Sequence, residues 1–262
     1  MTSPAFRVRQ FEQQTGTADA VVLDGVVRVL GAKTVLEAVD LRVARGERIG
    51  VVGRSGVGKS TLLSLVGGLD AADAGMVSVF GEAAATARLA QCALMPQRDC
   101  LLPWRSALDN ACLGLENRGL SRREARRQAA PLFTRFGLAG AERLRPAQLS
   151  AGMRQRVAFL RTLLAGKDVL LLDEPFGALD AITRAELQEW LLSALGAEPR
   201  TLLLVTHDIE EALLICDRVV VLARGRITAD LEVELPRNGR RRELVTSPAF
   251  VALRERALEM LG

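Results

Sequence analysis

A glycine-rich stretch, Gly53-Arg54-Ser55-Gly56-Val57-Gly58-Lys59-Ser60-Thr61, has the residue types and spacing of a loop that binds phosphate groups. It follows the apolar run Ile49 to Val52 and precedes a helical pattern of leucines. Glycines at this spacing let consecutive backbone N–H groups turn toward phosphate oxygens at the positive end of a helix. Lys59 would reach the terminal phosphates of a nucleotide, Ser60 would give its hydroxyl to Mg²⁺, and Thr61 would add a hydrogen bond along the phosphate chain. The flanking strand and helix argue against the alternative, a chance glycine-rich turn.

Two carboxylates stand at the end of a second apolar run, where Val169 to Leu172 is followed by Asp173 and Glu174. A core strand carries such charges at a cost unless they meet a cation or a substrate. Asp173 is suited to the Mg²⁺ shell, and Glu174 can take a proton from the water that attacks the terminal phosphate, or orient that water. The alternative is an exposed acidic turn, which a phosphate loop in the same chain makes less favourable.

The composition indicates a globular α/β chain that must position these groups. Its 262 residues are 49% hydrophobic, enough for one large domain or two small ones. A net charge of +4 does not require a nucleic-acid partner. No window reaches the roughly 18 to 20 apolar residues of a membrane-spanning helix. The four cysteines form no C-x-x-C pair, so we expect reduced and mostly buried thiols rather than zinc ligands or disulfides.

The pattern of apolar residues predicts a sheet that begins antiparallel and continues parallel. A turn at Gly31 separates strands predicted over Val21 to Val29 and Val35 to Val43, and a short strand is predicted over Gly75 to Phe80. A helical connector is expected from Glu82 to Ala90. After the acidic run, strands alternate with helices, as in a parallel sheet wound with helices. These segments are Val169 to Leu172, Asp180 to Leu195, Leu202 to Val205, Asp208 to Ile215 and Val219 to Leu222.

Between Arg98 and Gln148 the β-branched residues give way to helical signals. Ser121 begins a capping box, and Gly137 stands where a helix would end. Pro131 is expected to kink or split the helix between them. The arginines at positions 122, 123, 126 and 127 are interpreted as a solvated helix face rather than a binding patch. Ser247 and Pro248 predict the start of a final helix that runs to Leu261.

Taken together, the chain from about Val21 to its end resembles the ATP-binding cassette, the ATPase subunit of ABC transporters. The stretch Leu149-Ser150-Ala151-Gly152-Met153-Arg154-Gln155-Arg156 is similar to the signature motif of that family, and Gln97 after Met95-Pro96 is similar to its Q-loop. Gly177-Ala178-Leu179-Asp180 resembles the D-loop, and His207 occupies the place of the switch histidine. The resemblance implies a P-loop NTPase fold: α/β, with a mostly parallel sheet, an antiparallel β entry and a helical subdomain.

The same resemblance divides the chain and assigns its site. Residues 1–19 would be a tail and residues 20–262 the cassette, with a helical subdomain at 98–148 and a C-terminal extension at 224–262. Gln97 would join Ser60 and Asp173 at the Mg²⁺ ion and, with Glu174 and His207, form the catalytic set. A lone histidine is usually structural, but its place after a strand next to the acidic strand favours a role at the γ-phosphate.

In this family two cassettes close head to tail, with each ATP between the phosphate loop of one and the signature motif of the other. Ser150 is a good N-cap, so the amides from Ser150 to Gly152 would offer a second positive helix end to the partner's γ-phosphate. The resemblance implies a second cassette, as a homodimer, together with membrane permease subunits and a periplasmic solute-binding protein. It places the chain peripherally at the cytoplasmic face of the inner membrane and implies no nucleic-acid partner.

Three positions depart from the family pattern. Ala151 replaces the first glycine of the signature pair and Met153 its glutamine, which puts a methyl group where backbone usually approaches phosphate. Leu30 stands where an aromatic ring would stack on adenine, and the chain has no tyrosine. We therefore expect the base to rest on apolar contact.

A finer resemblance connects the chain with bacterial importers of the nitrate, sulfonate and taurine type, whose relatives also carry pyrimidine precursors of thiamine. It rests on Leu102 to Arg105, Asp173 to Arg184, and Thr246 to Phe250. A groove near Gln97 and the first of these stretches would receive a helix of the membrane subunit, with Trp104 as an anchor; the alternative is a half-buried core tryptophan. Competing classes are a cassette acting on nucleic acid, which would need a longer coiled-coil or zinc insertion, and a translation factor with two cassettes.

Overall fold

The computed structural model describes residues 19–177, 179–197, 199–235 and 244–261. Residues 1–18 of the predicted tail, Ala178 of the D-loop-like stretch and part of the C-terminal extension lie outside these ranges, whereas Asp19, the last residue of that tail, begins the first strand. The strands are β1 (Asp19–Leu30), β2 (Lys33–Ala44), β3 (Arg48–Val52), β4 (Ala74–Val79), β5 (Cys92–Met95), β6 (Val169–Asp173), β7 (Thr201–Thr206), β8 (Arg218–Ala223) and β9 (Arg226–Glu232).

The helices lie mainly between the strands of the second half. They are α1 (Lys59–Val66), α2 (Ala85–Gln91), α3 (Ala107–Ala111), α4 (Leu113–Asn117), α5 (Arg122–Arg135), α6 (Ala151–Leu164), α7 (Ala181–Ala197), α8 (Ile209–Ile215) and α9 (Pro248–Leu261), with a short 3₁₀ turn at Pro146–Gln148. Within the described ranges no helix is both long and apolar enough to cross a membrane.

Two sheets carry the fold. β1 lies between β2 and β4 in an antiparallel sheet, and a second sheet has the order β5-β6-β7-β3-β8-β9. In the second sheet β5, β6, β7, β3 and β8 are parallel and β9 is antiparallel to β8. The predicted mostly parallel sheet with an antiparallel entry is confirmed.

The parallel strands are apolar throughout because both faces of the sheet are covered. Every residue of β6 and β7 is buried. Leu170, Leu172, Leu202 and Leu204 face the core shared with α6, α7 and α8, whereas Leu171 and Leu203 face the core shared with α1 and the antiparallel sheet. Since the carboxyl ends of parallel strands meet at one edge, the residues that follow β5, β6, β7 and β3 are brought together there.

Between β5 and α6 the described elements are helices, and no strand is among them. The expected split at Pro131 is wrong, because α5 is one continuous helix that includes it. Pro131 is exposed, while Ala125, Ala129 and Phe133 on the other face are buried. Packing of that face offsets the missing backbone hydrogen bond of the proline.

The interpretation of the arginine cluster as a merely solvated face is also wrong in part. Arg122 and Arg126 both bind Asp109, at 2.7 Å each, and that carboxylate is only 4% exposed. Burial alone would raise the pKa of Asp109, but hydrogen bonds from Arg126, Arg122 and Ser106 outweigh it and hold the pKa well below its usual range. Two of the four arginines therefore attach α5 to α3.

Three of the four cysteines are buried, which agrees with the prediction of mostly buried thiols. Cys92, Cys112 and Cys216 are buried, and Cys100 is exposed. β9 was missed by the sequence analysis, although Ile227, Ala229 and Leu231 alternate after a glycine turn at Gly225 as in an edge strand.

Candidate nucleotide-binding site

At two positions of the loop after β3 only glycine fits, because a side chain would meet a neighbouring backbone. A Cβ atom on Gly53 would lie 2.3 Å from the carbonyl oxygen of Leu222, at the end of β8. Gly58 has φ 114°, and a Cβ atom there would lie 2.9 Å from the carbonyl oxygen of Val35. The loop is thus confined between β8 and the start of β2, which fixes the direction of its amides at the first turn of α1.

Lys59 is folded back across this loop. Its side chain is buried, and Nζ donates to the carbonyl oxygens of Gly53 at 2.8 Å and Arg54 at 3.2 Å. Burial lowers the pKa of Lys59, and the charges of Glu174 and Asp173 partly offset that effect. The end of β6 therefore lies close enough to the loop for its carboxylates to act on the ammonium group.

Asp173 has the properties of a cation ligand. It is 5% exposed, and its Oδ1 has no hydrogen-bond partner within the described part of the chain. Ser60 donates a hydrogen bond to the carboxylate, while burial and Glu174 raise its pKa. A buried oxygen without a donor beside a serine hydroxyl and a phosphate loop fits an oxygen-coordinated divalent cation such as Mg²⁺.

Glu174 and His207 meet at the next position along the sheet edge. His207 Nδ1 lies 2.5 Å from Glu174 Oε2. Glu174 has φ 50°, a left-handed conformation that is rare for a residue with a side chain, and its N–H donates to the carbonyl oxygen of Val205 at 2.9 Å. The histidine ring is 64% exposed and the glutamate side chain only 13% exposed, so the ring is open to solvent while the carboxylate is largely enclosed beneath it.

A buried glutamine of α6 supports this strained position and was not assigned a role from the sequence. Gln155 Nε2 donates to the carbonyl oxygen of Pro175 at 3.2 Å and lies 3.5 Å from that of Glu174. The residue is 5% exposed. Its place within the signature-like stretch is the one signal in the sequence, and that signal does not indicate a contact with the residues after β6.

Gln97 and the start of α6 lie apart from these contacts. Gln97 is exposed just after β5, the strand next to β6. Ser150 caps α6, accepting from the N–H of Met153 at 3.1 Å, and Gly152 is half-buried. No hydrogen bond among the described residues joins this helix start to the phosphate loop. The loop, Asp173, Glu174 and His207 are gathered at one place, whereas Ser150 and Gly152 are not.

Leu30 lies at the end of β1 in the hairpin whose second strand borders Gly58. Its side chain is 47% exposed. Leu30→Tyr is expected to tighten ATP binding several-fold, since ring stacking on adenine adds about 0.5 to 1.5 kcal/mol. Direct titration with ATP and GTP measures this, with Leu89→Tyr, at another exposed leucine, as the matched control. Unchanged or weaker ATP binding in Leu30→Tyr would show that another residue covers the base.

Comparison with known proteins agrees with this geometry. The family model described as "ABC transporter" matches residues 36–177. The chain is 50% identical over 200 residues to the aliphatic sulfonates import ATP-binding protein SsuB 1 of Rhodococcus jostii, covering 76% of this chain and 78% of that protein. It is 43% identical to the formylaminopyrimidine import ATP-binding protein ThiZ of Halalkalibacterium halodurans, covering 79% and 81%.

Solved structures give the same answer for the fold. A dimeric ATP-binding cassette in a post-hydrolysis state, bound to ADP and inorganic phosphate, superposes with a TM-score of 0.76 and 28% identity over 82% of this chain and 99% of that one. The predicted family is therefore confirmed. The chain belongs to the ABC transporter family, as one of its ATP-hydrolysing cassettes.

Proposed function

We propose that this chain energises a bacterial importer for a small organic solute, by binding and hydrolysing ATP. The observation that carries the chemistry is the meeting of a buried, donor-less Asp173 oxygen, the glycine loop and the Glu174–His207 pair at one sheet edge. Relatives named for sulfonate import and for formylaminopyrimidine import support a substrate of one of these two classes. A nitrate substrate, the third class suggested by the sequence, has no counterpart among these relatives.

In the proposed mechanism the loop amides and Lys59 hold the β- and γ-phosphates. Ser60 and Asp173, with Gln97, would hold Mg²⁺, which when bound neutralises phosphate charge. Glu174 takes the proton of the attacking water, and His207, hydrogen-bonded to its carboxylate, fixes that carboxylate and faces the γ-phosphate. The left-handed backbone at Glu174 aims the carboxylate away from the sheet and toward this space.

The exposed start of α6 completes the site in a second cassette. Ser150 and Gly152 of one subunit would bind the γ-phosphate held by the other, as a homodimer that closes on ATP. The dimeric assembly of a related cassette supports this arrangement. Ala151, between these two residues, is exposed, so its methyl group is on the surface offered to the partner's phosphate.

The partners proposed are permease subunits and a periplasmic solute-binding protein, with the chain at the cytoplasmic face of the inner membrane. The import functions in the names of its relatives support this. Purification from membranes of its native cells tests it directly: we expect permease subunits to co-purify. Recovery with DNA or ribosomes would favour the alternative, a non-transport cassette acting on nucleic acid, which the short helices α3 to α5 do not support.

The loop around Trp104 is the proposed permease contact. Trp104 is 69% exposed, which rules out the alternative of a half-buried core residue. The loop is nevertheless attached to the core: the fully buried Asn110 accepts from the N–H of Leu102 at 2.7 Å and donates to the carbonyls of Leu102 and Ser106 at 3.1 and 3.0 Å. The exposed Trp104 ring, on a loop fastened by the buried Asn110, is suited to anchor a protein interface.

Trp104→Ala is therefore expected to abolish most solute uptake by the assembled importer while the isolated subunit keeps its melting temperature and basal ATPase. The reason is that the ring contacts a partner and not the core. Uptake into proteoliposomes and thermal melting of the free subunit measure the two effects, with Leu89→Ala as the control at another exposed apolar side chain. A lower melting temperature without loss of uptake per folded molecule would contradict the proposal.

A further inference from the structure

The turn that carries His207 rests on a buried polar cluster between α7 and α8. Its most enclosed members are Thr206, Gln188 and Glu211, which are 1%, 2% and 5% exposed. Arg184 and Asp208 complete it, with their nearest nitrogen and oxygen 3.8 Å apart. None of the five touches the phosphate loop through a hydrogen bond among the described residues, so the nucleotide site as described above does not account for them.

Glu211 grips both neighbours of His207 in the chain. Its carboxyl group is hydrogen-bonded by the hydroxyl of Thr206, and its N–H donates to Asp208 Oδ1 at 3.2 Å. The Thr206 hydroxyl also accepts from the N–H of Asp208 at 3.1 Å. Glu211 is therefore hydrogen-bonded to the side chains on both sides of the histidine, through its carboxyl group to Thr206 and through its N–H to Asp208.

The other side of the cluster belongs to α7. Gln188 Nε2 donates to Glu211 Oε1 at 3.2 Å. Arg184, one turn earlier, donates through Nη2 to the carbonyl oxygen of Leu179 at 3.2 Å, in the segment that leads from Glu174 to α7. Glu211 therefore stands between the turn of His207 and the helix that follows the segment of Glu174.

Two buried atoms in this cluster, Gln188 Oε1 and Arg184 Nε, have no hydrogen-bond partner in the described part of the chain. A protonated Glu211 has a donor to offer Gln188 Oε1 in a paired acid–amide contact, whereas an ionised one has none. Burial raises the pKa of Glu211 to about 7. The hydrogen bonds from Thr206 and Gln188 and the charge of Arg184 lower the pKa in part, whereas Asp208, the N-cap of α8, raises it further. Arg254 of α9 binds Glu210 instead, and β3 packs on α8 through Gly50 and Ala212.

We propose that Glu211 is a positioning residue for ATP hydrolysis. It fixes the turn that carries His207 relative to α7, so that the histidine and Glu174 keep their contact. The inference rests on the proposed roles of Glu174 and His207. Only the protonated acid can donate to Gln188 Oε1, so the turn of His207 is held most firmly against α7 below neutral pH.

Glu211→Ala is expected to lower kcat by about 10- to 100-fold, as misplacement by an ångström does in other sites, with KM for ATP within about twofold of the parent. Glu210→Ala is the matched control, since Glu210 lies on the same helix with a half-exposed carboxylate bound to Arg254. We expect parental kcat for the control. A parental kcat for Glu211→Ala would overturn the proposal.

Glu211→Gln separates positioning from simple stability. The amide cannot ionise, so the ratio of its kcat to that of the parent should rise between about pH 6 and pH 8. The sign follows from the raised pKa: the protonated form favours the native state, and this contribution is lost as the pH rises through about 7. The melting temperature of the variant relative to the parent should rise from about pH 4.5, the ordinary pKa of a glutamate, to about pH 7 and level off above it. A constant kcat ratio across the range would overturn the proposal.

Two further variants keep the outcome decisive. If Glu211→Ala does not fold, Gln188→Met, which retains length and burial but removes the amide, should still lower kcat with KM unchanged; parental kcat in Gln188→Met would then overturn the inference. His207→Ala distinguishes the two levels of argument. Full turnover in His207→Ala would refute the proposed role of the histidine, whereas loss there combined with parental kcat in Glu211→Ala would refute the positioning role alone.

Discussion

Replacing Glu174 by glutamine is expected to slow ATP turnover by about 10²- to 10⁴-fold while ATP binding stays nearly unchanged. The amide has the size of the carboxylate and keeps a hydrogen-bond partner for His207, but it cannot take the proton of the attacking water. Steady-state hydrolysis measures the first effect and direct ATP titration the second. Light scattering should also show the ATP-bound variant as a lasting dimer, because hydrolysis no longer releases the partner.

Glu186→Gln is the matched control for this experiment, since Glu186 is an exposed residue of α7. Its turnover should equal that of the parent. Equal turnover in Glu174→Gln and the parent would remove Glu174 from the catalytic role and leave the strained backbone at this position without a function.

Lys59→Ala is expected to weaken ATP binding by about 10- to 150-fold, the equivalent of about 1.5 to 3 kcal/mol for hydrogen bonds to a charged group. The buried ammonium is already held over the loop by the carbonyl of Gly53 at 2.8 Å, so little ordering is needed when phosphate arrives. Its removal also takes away a positive charge that stabilises the ionised form of Asp173.

Direct titration of ATP against Lys59→Ala measures this effect, and melting of the nucleotide-free variant shows whether the fold survives. Lys167→Ala serves as the control, because Lys167 binds only the carbonyl of Ala90 in the contacts described. ATP affinity within about twofold of the parent in Lys59→Ala would show that the loop amides carry the phosphate alone.

The sequence was sufficient to locate candidate site residues wherever their chemistry is local in the chain. The loop from Gly53 to Thr61 and the pair Asp173-Glu174 each combine residue type, spacing and an adjoining apolar strand, so both could be located before any fold was known. Their mutual approach followed from the rule that parallel strand ends share an edge. The assignments of Gln97, Ser150 and Gly152 came from resemblance, and they remain predictions.

What could not be predicted depends on pairs far apart in the chain. Asp109 gives no sign that it will neutralise Arg122 and Arg126, and a helix pattern alone therefore suggests a solvated face. Gln155 and Glu211 likewise read as polar positions on helices until the fold buries them against backbone carbonyls and a buried amide. Pro131 was given too much weight, because local propensity is overridden when the opposite helix face packs.

The central place of β3 has a consequence for the order in which the protein can be completed on the ribosome. β3 pairs with β7 at Arg48 and Leu202, and with β8 at Ile49 and Arg218. One wall of the phosphate loop, Leu222 of β8, is thus synthesised well over a hundred residues after the loop itself, whereas the other, Val35 of β2, precedes it. A nascent chain in which Lys59 has left the ribosome but Leu222 has not has no confined loop for ATP. Its apolar strand β3 also still lacks its neighbour β8. Nucleotide affinity is therefore expected only after β8 has been synthesised, and ATP is not expected to stabilise a product truncated before Leu222.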